Sequence, residues 1–323
     1  MNERPDQDVM TNPRADRVRK VARLAGRSSR SREGLFLAEG PQSSREALRA
    51  HLGMLSPRPE RDADPAQPAD GRPPRPPRPT QWIPGRVVES VYLSTRVAER
   101  DAELADLVRR AADRGVPVRW VTDEVLDAMA DAVTGQGILT VCHLPDTGAA
   151  PILAALPEPR LAAVLCRVQD PGNAGTILRA ADASGAGVVV LTAGSVDVFN
   201  PKVVRSTAGS LFHVPVVTGV EAANAVDALR DHGLAVLAAD GYGSVVLDRP
   251  PSGLLAAPTA WLFGNEAQGL SAEELTLADE RVAVPLYGRA ESLNVATAAT
   301  VCLYASAMAQ HAPDDTAAGE DLV

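Results

Sequence analysis

A chain of 323 residues, 45% of them hydrophobic, has the length and apolar content for two ordinary domains with real cores. No run approaches the roughly eighteen apolar residues of a membrane span, and the opening MNERPDQDVMTNPRADRVRK has no apolar stretch of the kind a signal peptide needs, so a cytoplasmic location is expected. A net charge of −9 argues against a polyanionic partner unless the basic residues are clustered, and the scattered Cys142, Cys166 and Cys302, with no CxxC spacing, indicate neither a disulfide framework nor a metal site.

Residues 1–13 are polar and are expected to be disordered, after which Val18, Val21, Leu24 and Ala25 recur at helical spacing. The basic residues are clustered here. Arg14, Arg17, Arg19, Lys20, Arg23, Arg27, Arg30 and Arg32 are opposed within that span only by Asp16, so a basic helix opens the fold. Such a cluster is either a solvated face or a contact to nucleic-acid phosphates, and charge alone does not separate the two. GLFLAEG (34–40) reads as a buried strand leading into a helix from about Ser43 to His51. The proline density of 56–80, which also carries Arg72, Arg75 and Arg78, forbids regular hydrogen-bonded structure and marks an inserted flexible loop. Then follow a strand (87–93), a helix (98–113), a strand (116–121), a helix (123–130) and a strand (137–143), a small α/β unit spanning 14–144. The Ala- and Pro-rich 145–159 reads as a linker.

From residue 160 to 311 a longer series begins, before a polar tail at 312–323. Apolar runs at 161–168, 187–192, 211–217, 234–239, 259–264 and 281–286 alternate with helical stretches near 173–184, 202–208, 221–231, 271–278 and 292–310. Nearly continuous apolar strands between helices predict a parallel sheet covered on both faces. Ligands of such sheets bind beyond the carboxyl ends of the strands, so the loops there are the places to look.

Three of these loops stand out. QDPGNAGTILR (169–179) lacks both GxGxxG and the phosphate-binding GxxxxGK[ST]. In it Asn173 is placed to cap a helix, Gly172 and Gly175 allow close approach, and Arg179 lies on the helix that follows. WLFGNEAQGLSAEEL (261–275) runs from a strand into Gly264, Asn265, Glu266 and Gly269, with Ser271 and Glu274 forming a capping box. Glu266 at that strand end either binds a ligand hydroxyl or amine, or bonds backbone amides of the turn. VPLYGRAESLNVATAAT (284–300) places Ser292, an ordinary N-cap residue, before a long Ala-rich helix, with Asn294 in its first turn.

Taken in order, the three loops resemble the signature motifs of the SpoU (TrmH) family of RNA ribose methyltransferases, within the SPOUT class. The first falls on Asn173, Gly175 and Arg179, the second on Gly264, Asn265, Glu266 and Gly269, the third on Pro285, Ser292, Leu293 and Asn294. The resemblance covers about 160–311. The first half is similar, more loosely, to the ribosomal-protein-L30e-like substrate-binding domain of ribosomal members, through the basic helix, FLAEG (36–40) and GQGIL (135–139), where a proline more commonly replaces Gly135. The resemblance implies an α/β fold whose parallel-sheet domain carries a deep trefoil knot, an exception to the rule that chains do not thread their own loops. It implies S-adenosylmethionine as cofactor, held by Gly264, Asn265, Glu266, Val284, Leu286 and Leu293, with Ala238 and Ala239 nearby.

The same resemblance implies a homodimer; no metal is expected, from the cysteine spacing above. Its RNA contacts would come from Arg19, Lys20, Arg23, Arg27, Arg30 and Arg32. Arg179 would act on the ribose 2′-hydroxyl, with Asn173, Ser292 and Asn294 orienting groups around it and Glu266 the competing base. The separate N-terminal domain favours 23S ribosomal RNA as substrate. A transfer RNA methyltransferase and a non-catalytic RNA-binding module are the alternatives.

Overall fold

The computed structural model describes residues 9–55, 81–132, 136–148, 152–153, 156 and 158–312. The proline-rich insertion with Arg72, Arg75 and Arg78, Gly135, residues 1–8 and 313–323, and part of the 145–159 linker lie outside the described residues. Two compact units are present, and they do not follow chain order. One comprises Met1–Pro157 with Asp170–Arg179 and Val196–Val217; the other comprises Glu158–Gln169, Ala180–Ser195 and Thr218–Val323.

The first unit is built on a four-stranded sheet of order β1-β4-β2-β3, with β1 at Leu35–Glu39, β2 at Val88–Leu93, β3 at Val118–Trp120 and β4 at Ile138–His143. β4 runs antiparallel to both β1 and β2, and β3 parallel to β2. The expected basic helix is two helices, α1 (Asp16–Ala22) and α2 (Arg27–Glu33), parted by a 3-10 turn at Arg23–Ala25 and by Gly26. Val18, Val21 and Leu24 of this arm bury against Leu37, Tyr92, Val125, Leu126 and Leu139, which is why a highly charged segment folds at all. After α3 (Gly40–Leu52), the helix expected at 98–113 is also two, α4 (Thr95–Arg100) and α5 (Ala102–Ala112). Asp101 breaks it, leaving helical geometry and accepting the Leu104 N–H at 3.0 Å, an N-cap the periodicity concealed. α6 (Asp123–Met129) precedes β4.

One expected RNA contact is corrected here. Arg30 is 2% exposed, donates to the carbonyls of Leu24 at 2.9 Å and Ala25 at 2.6 Å, and pairs with Asp197, its Nε at 3.1 Å. Its charge is spent inside the protein. Arg19, Lys20, Arg23, Arg27 and Arg32 remain exposed, with Arg19 paired to Asp16 and Arg32 to Glu33. Arg30→Ala leaves Asp197 and two carbonyls without their partner and is expected to cost about 3 kcal/mol of stability, read as a lower denaturant midpoint with RNA affinity unaltered in the folded fraction. A variant as stable as the parent protein, but weaker on RNA, would reverse the assignment.

The second unit carries the longer sheet, of order β7-β6-β5-β10-β8-β11-β9. Its strands are β5 (Leu161–Leu165), β6 (Val188–Thr192), β7 (Val216–Val220), β8 (Ala235–Ala239), β9 (Val245–Val246), β10 (Thr259–Phe263) and β11 (Glu280–Ala283). β5 pairs with β6 and β10, β8 with β10 and β11, and β9 with β11, all parallel. Of the helices between these strands, α7 (Pro171–Ser184) belongs to the first unit as far as Arg179 and α8 (Pro201–Ser206) wholly so, while α9 (Ala222–Asp231), α10 (Ala272–Thr276) and α11 (Val295–His311) belong to the second. Two-residue β9 escaped the sequence reading because it is too short to show a period. α11 lays Ala296, Ala299, Cys302, Leu303 and Ser306 inward, and the indole of fully buried Trp261 donates to Ser306 Oγ at 2.9 Å. The mostly small residues of that face let the helix lie close on the sheet.

The strand expected at 211–217 starts later, at Val216. Ser210–Phe212 is a 3-10 turn, because Phe212 is drawn into an aromatic cluster 4.8 Å from Trp82, whose indole donates to the Leu211 carbonyl. Among the described residues no helix is long and apolar enough to cross a membrane.

Candidate active site

The strand order sets neighbouring carboxyl ends side by side. Leu262 of β10 lies opposite Ala238 of β8, and Ala239 opposite Val282 of β11, so Gly264, Ala239 and Val284 all sit at the same end of three adjacent strands. Gly264 of the second loop and Val284 of the third are therefore brought, with Ala239, to one edge of the second unit. Leu286, three residues beyond β11, is 41% exposed, and Leu293, two residues before α11, is 37% exposed.

Gly264 is buried, and a Cβ there would stand 2.2 Å from the backbone carbon of Gly269 and 2.3 Å from the Leu270 nitrogen. Its conservation of space is steric: only a residue without a side chain lets the loop fold back this tightly. The loop is closed by paired hydrogen bonds between Asn265 and Gly269, N–H to carbonyl in both directions at 3.0 and 2.8 Å. Asn265 is committed to this turn. Its amide donates to the Arg167 carbonyl at 2.9 Å, and its Oδ1 accepts from Ala267 and Gln268. Glu266 is exposed and accepts the Gln169 N–H at 3.2 Å, which ties the second loop to the end of β5.

Two capping expectations are corrected. α7 opens at Pro171, and Asp170 caps it, accepting the Asn173 N–H at 2.8 Å; Asn173 itself lies inside the first turn. The Asp-Pro pair outcompetes Asn173 because proline is suited to the first helical position, which puts the cap one residue before it. α11 opens at Val295, and its cap is Asn294, whose Oδ1 accepts from Ala296 at 2.9 Å and Thr297 at 3.3 Å; Ser292 is exposed in the preceding loop.

Within the first unit, α7 presents Arg179 to solvent while Ala174, Ile177 and Leu178 are buried. A Cβ on Gly175 would meet Ser206 Cβ at 2.5 Å and the Val203 carbonyl at 2.7 Å, so this glycine fixes how closely α7 and α8 approach. Lys202, on the first turn of α8, lies 3.7 Å from the Asp170 carboxylate.

Arg167 was not singled out by the sequence. It follows β5 at φ +55, a left-handed conformation rare outside glycine, and its guanidinium binds both oxygens of Glu274, at 2.9 and 2.6 Å. Glu274 closes the expected capping box with Ser271 as well, so one carboxylate serves two purposes. Burial raises the Glu274 pKa, but the Arg167 hydrogen bond, the Ser271 N–H, the Arg167 charge and the Ser271 hydroxyl outweigh it and hold the carboxyl below its ordinary range. No local pattern marks an arginine that pairs across 107 positions. Burial pushes the Cys166 and Cys302 thiols up to about 12.

The parallel α/β sheet carries the second and third motif loops at the carboxyl ends of β10 and β11, where open sheets of this kind bind ligands. Residues 160–304 match the SpoU rRNA methylase family, and 84–148 match the RNA 2′-O ribose methyltransferase substrate-binding family. The chain is 37% identical over 194 residues to the 23S rRNA (guanosine(2553)-2′-O)-methyltransferase of Bacillus subtilis, covering 59% of this chain and 73% of that protein. It is 39% identical over 121 residues to the 23S rRNA (uridine(2479)-2′-O)-methyltransferase of Streptomyces viridochromogenes, covering 36% of this chain and 41% of that one. Among solved structures, the SpoU methyltransferase AviRb from the same Streptomyces, in complex with the cofactor AdoMet, superposes with a TM-score of 0.65 at 27% identity over 91% of this chain and 97% of that one. The chain belongs to the SpoU rRNA methylase family and is an RNA methyltransferase.

Proposed function

We propose that the chain moves the methyl group of S-adenosylmethionine to a ribose 2′-oxygen of 23S ribosomal RNA. The observation that carries the reading is the strand-end edge where Gly264, Ala239 and Val284 lie side by side, with the exposed Leu286 following β11 in the same loop. The donor set fits the cofactor: backbone groups around a loop too tight for a side chain suit its polar parts, and the two uncovered leucines suit an adenine face. Ala238, Ala239, Gly264, Val284, Leu286 and Leu293 would hold it. Asn265 and Glu266 contribute by keeping the loop closed and attached to β5. When bound, it supplies a methyl group on a sulfonium.

The protein's own task is to place the 2′-hydroxyl in line and to deal with its proton. Arg179 is exposed on α7, and a guanidinium, which keeps its proton, is a poor base. It serves instead as an electrostatic stabiliser of the developing alkoxide. Glu266 is the competing base, and its bond to the Gln169 N–H speaks for a holding role. Asn294 fixes the start of α11 as its cap, with Ser292 in the loop just before it and Asn173 on the first turn of α7.

The same reading takes 14–144 as an RNA-binding domain that meets phosphates through Arg19, Lys20, Arg23, Arg27 and Arg32, and 160–311 as the methyltransferase domain, joined through 145–159. It includes a cytoplasmic location and the trefoil knot. β10 lies between β5 and β8, and β11 between β8 and β9, the out-of-sequence order that threading a C-terminal segment would leave. It also includes a homodimer, supported by the exposed Val301, Tyr304 and Met308 on α11. Incubation with labelled S-adenosylmethionine and unmodified ribosomal or transfer RNA, followed by mapping, tests it. Ribose label in 23S RNA is expected. Label confined to transfer RNA would overturn the substrate, and methyl groups on bases would overturn the reaction.

A further inference from the structure

Arg167 stands where three strand-end segments meet in the second unit. Its N–H donates to Thr192 Oγ1 at the end of β6, at 3.0 Å, and its carbonyl accepts from Asn265 in the loop after β10. Its guanidinium reaches Glu274 on α10 with two bonds and the Gly269 carbonyl at 3.4 Å. Backbone and side chain thus grip the 264–269 loop at both of its ends, Asn265 and Gly269. The pair is sheltered, with the Glu274 side chain 9% and that of Arg167 30% exposed. A positive φ on a non-glycine residue is a conformation that surrounding contacts must hold in place. Thr192 and Ser195 both donate to the Leu165 carbonyl, at 3.3 and 3.1 Å, and so brace the strand from which Arg167 projects.

We infer that Arg167 and Glu274 form a clamp that sets the donor-binding loop: Arg167 is a positioning residue that determines S-adenosylmethionine affinity without touching the reacting atoms. The inference rests on the donor site proposed above. A loop with only its own two closing bonds between Asn265 and Gly269 would be free to swing about Gly264 and Leu270. The bidentate pair, in a sheltered site, fixes its far end to the end of β5 before the donor arrives. Preorganisation of that kind appears in affinity, because the cost of ordering the loop has been met during folding.

The test uses the full chain. Arg167→Gly removes the guanidinium while accommodating the positive φ, and Glu274→Gln removes the charge while keeping an N3 residue able to complete the capping box. Calorimetry is expected to show S-adenosylmethionine binding about tenfold weaker in each, the scale of one charge-assisted hydrogen bond. The double variant should be no weaker than the worse single one. The turnover rate at saturating donor should stay within about threefold of the parent while KM for the donor rises. Hydrogen exchange at 265–270 in the donor-free protein should accelerate in both variants, and Arg167→Lys, which keeps one bond, should fall between.

Parent-like donor affinity in Arg167→Gly would overturn the inference, as would unchanged exchange at 265–270 or additive losses in the double variant. If the parent protein itself took up no S-adenosylmethionine, the proposed donor site would fail, while the exchange arm would still report whether the clamp orders the loop.

Discussion

Arg179→Ala is expected to lower methyl transfer at saturating donor and RNA by about 10²–10⁴-fold, the range spanned by loss of one transition-state stabiliser or proton-transfer group. Folding should be spared. Arg179 is exposed, and the buried face of α7 is made by Ala174, Ile177, Leu178 and Ala181, none of which the substitution touches. S-adenosylmethionine affinity should likewise be retained, since none of the proposed donor contacts involves this side chain. The expected signature is a fall in the turnover rate without a matching fall in donor binding. Arg179→Lys tests the stabiliser role against proton removal. A lysine retains positive charge but not the planar fork, and an amine that can lose its proton gives the rate a new dependence on alkaline pH if proton removal is the task. A pH-independent partial rescue supports the stabiliser. Normal transfer by folded Arg179→Ala would remove this residue from the mechanism.

Gly264→Ala is the smallest change with the next largest effect. The added methyl would sit 2.2 Å from a backbone carbon and 2.3 Å from a backbone nitrogen, and neither atom belongs to a flexible side-chain end that can step aside. The loop from Asn265 to Gly269 must therefore move as a body, breaking the Asn265 and Arg167 contacts that hold it. Overpacking of this kind costs roughly 1–3 kcal/mol in stability, and a displaced donor loop is expected to weaken S-adenosylmethionine binding by about 100-fold, equivalent to some 2.8 kcal/mol. Calorimetry together with thermal unfolding checks both. Donor binding at the parent level would place the cofactor elsewhere on the sheet.

The two substitutions differ in how far the sequence foretold them. Arg179 was legible through the resemblance of QDPGNAGTILR to the family's first motif, since the residues of that loop by themselves fix no role for it. Gly264 was legible as a residue needing explanation, but its reason, the return of Gly269 and Leu270 across it, belongs to three dimensions. The caps fell between. Both Asn173 and Ser292 have the chemistry of an N-cap, and the choice went to Asp170 and Asn294 because each stands one residue before the first helical residue. The helix break at Asp101 was hidden for the opposite reason, since the apolar residues on either side stay roughly in phase across it.

What the sequence determined by itself was the alternation of apolar strands and amphipathic helices, hence a parallel sheet, and the identity of three loops at strand ends. These follow from short-range pattern, which any segment of about ten residues carries within itself. Tertiary structure alone decided strand order, and with it which loops become neighbours: β10 beside β8 and β8 beside β11 bring Gly264, Ala239 and Val284 to one edge. It decided too that Arg30, one more basic residue in a basic segment, is buried on Asp197, and that Arg167 holds Glu274. Pairing between residues more than a hundred positions apart is settled by where the folded chain returns, because the same charge is a solvated surface group or a buried brace according to what lies opposite it.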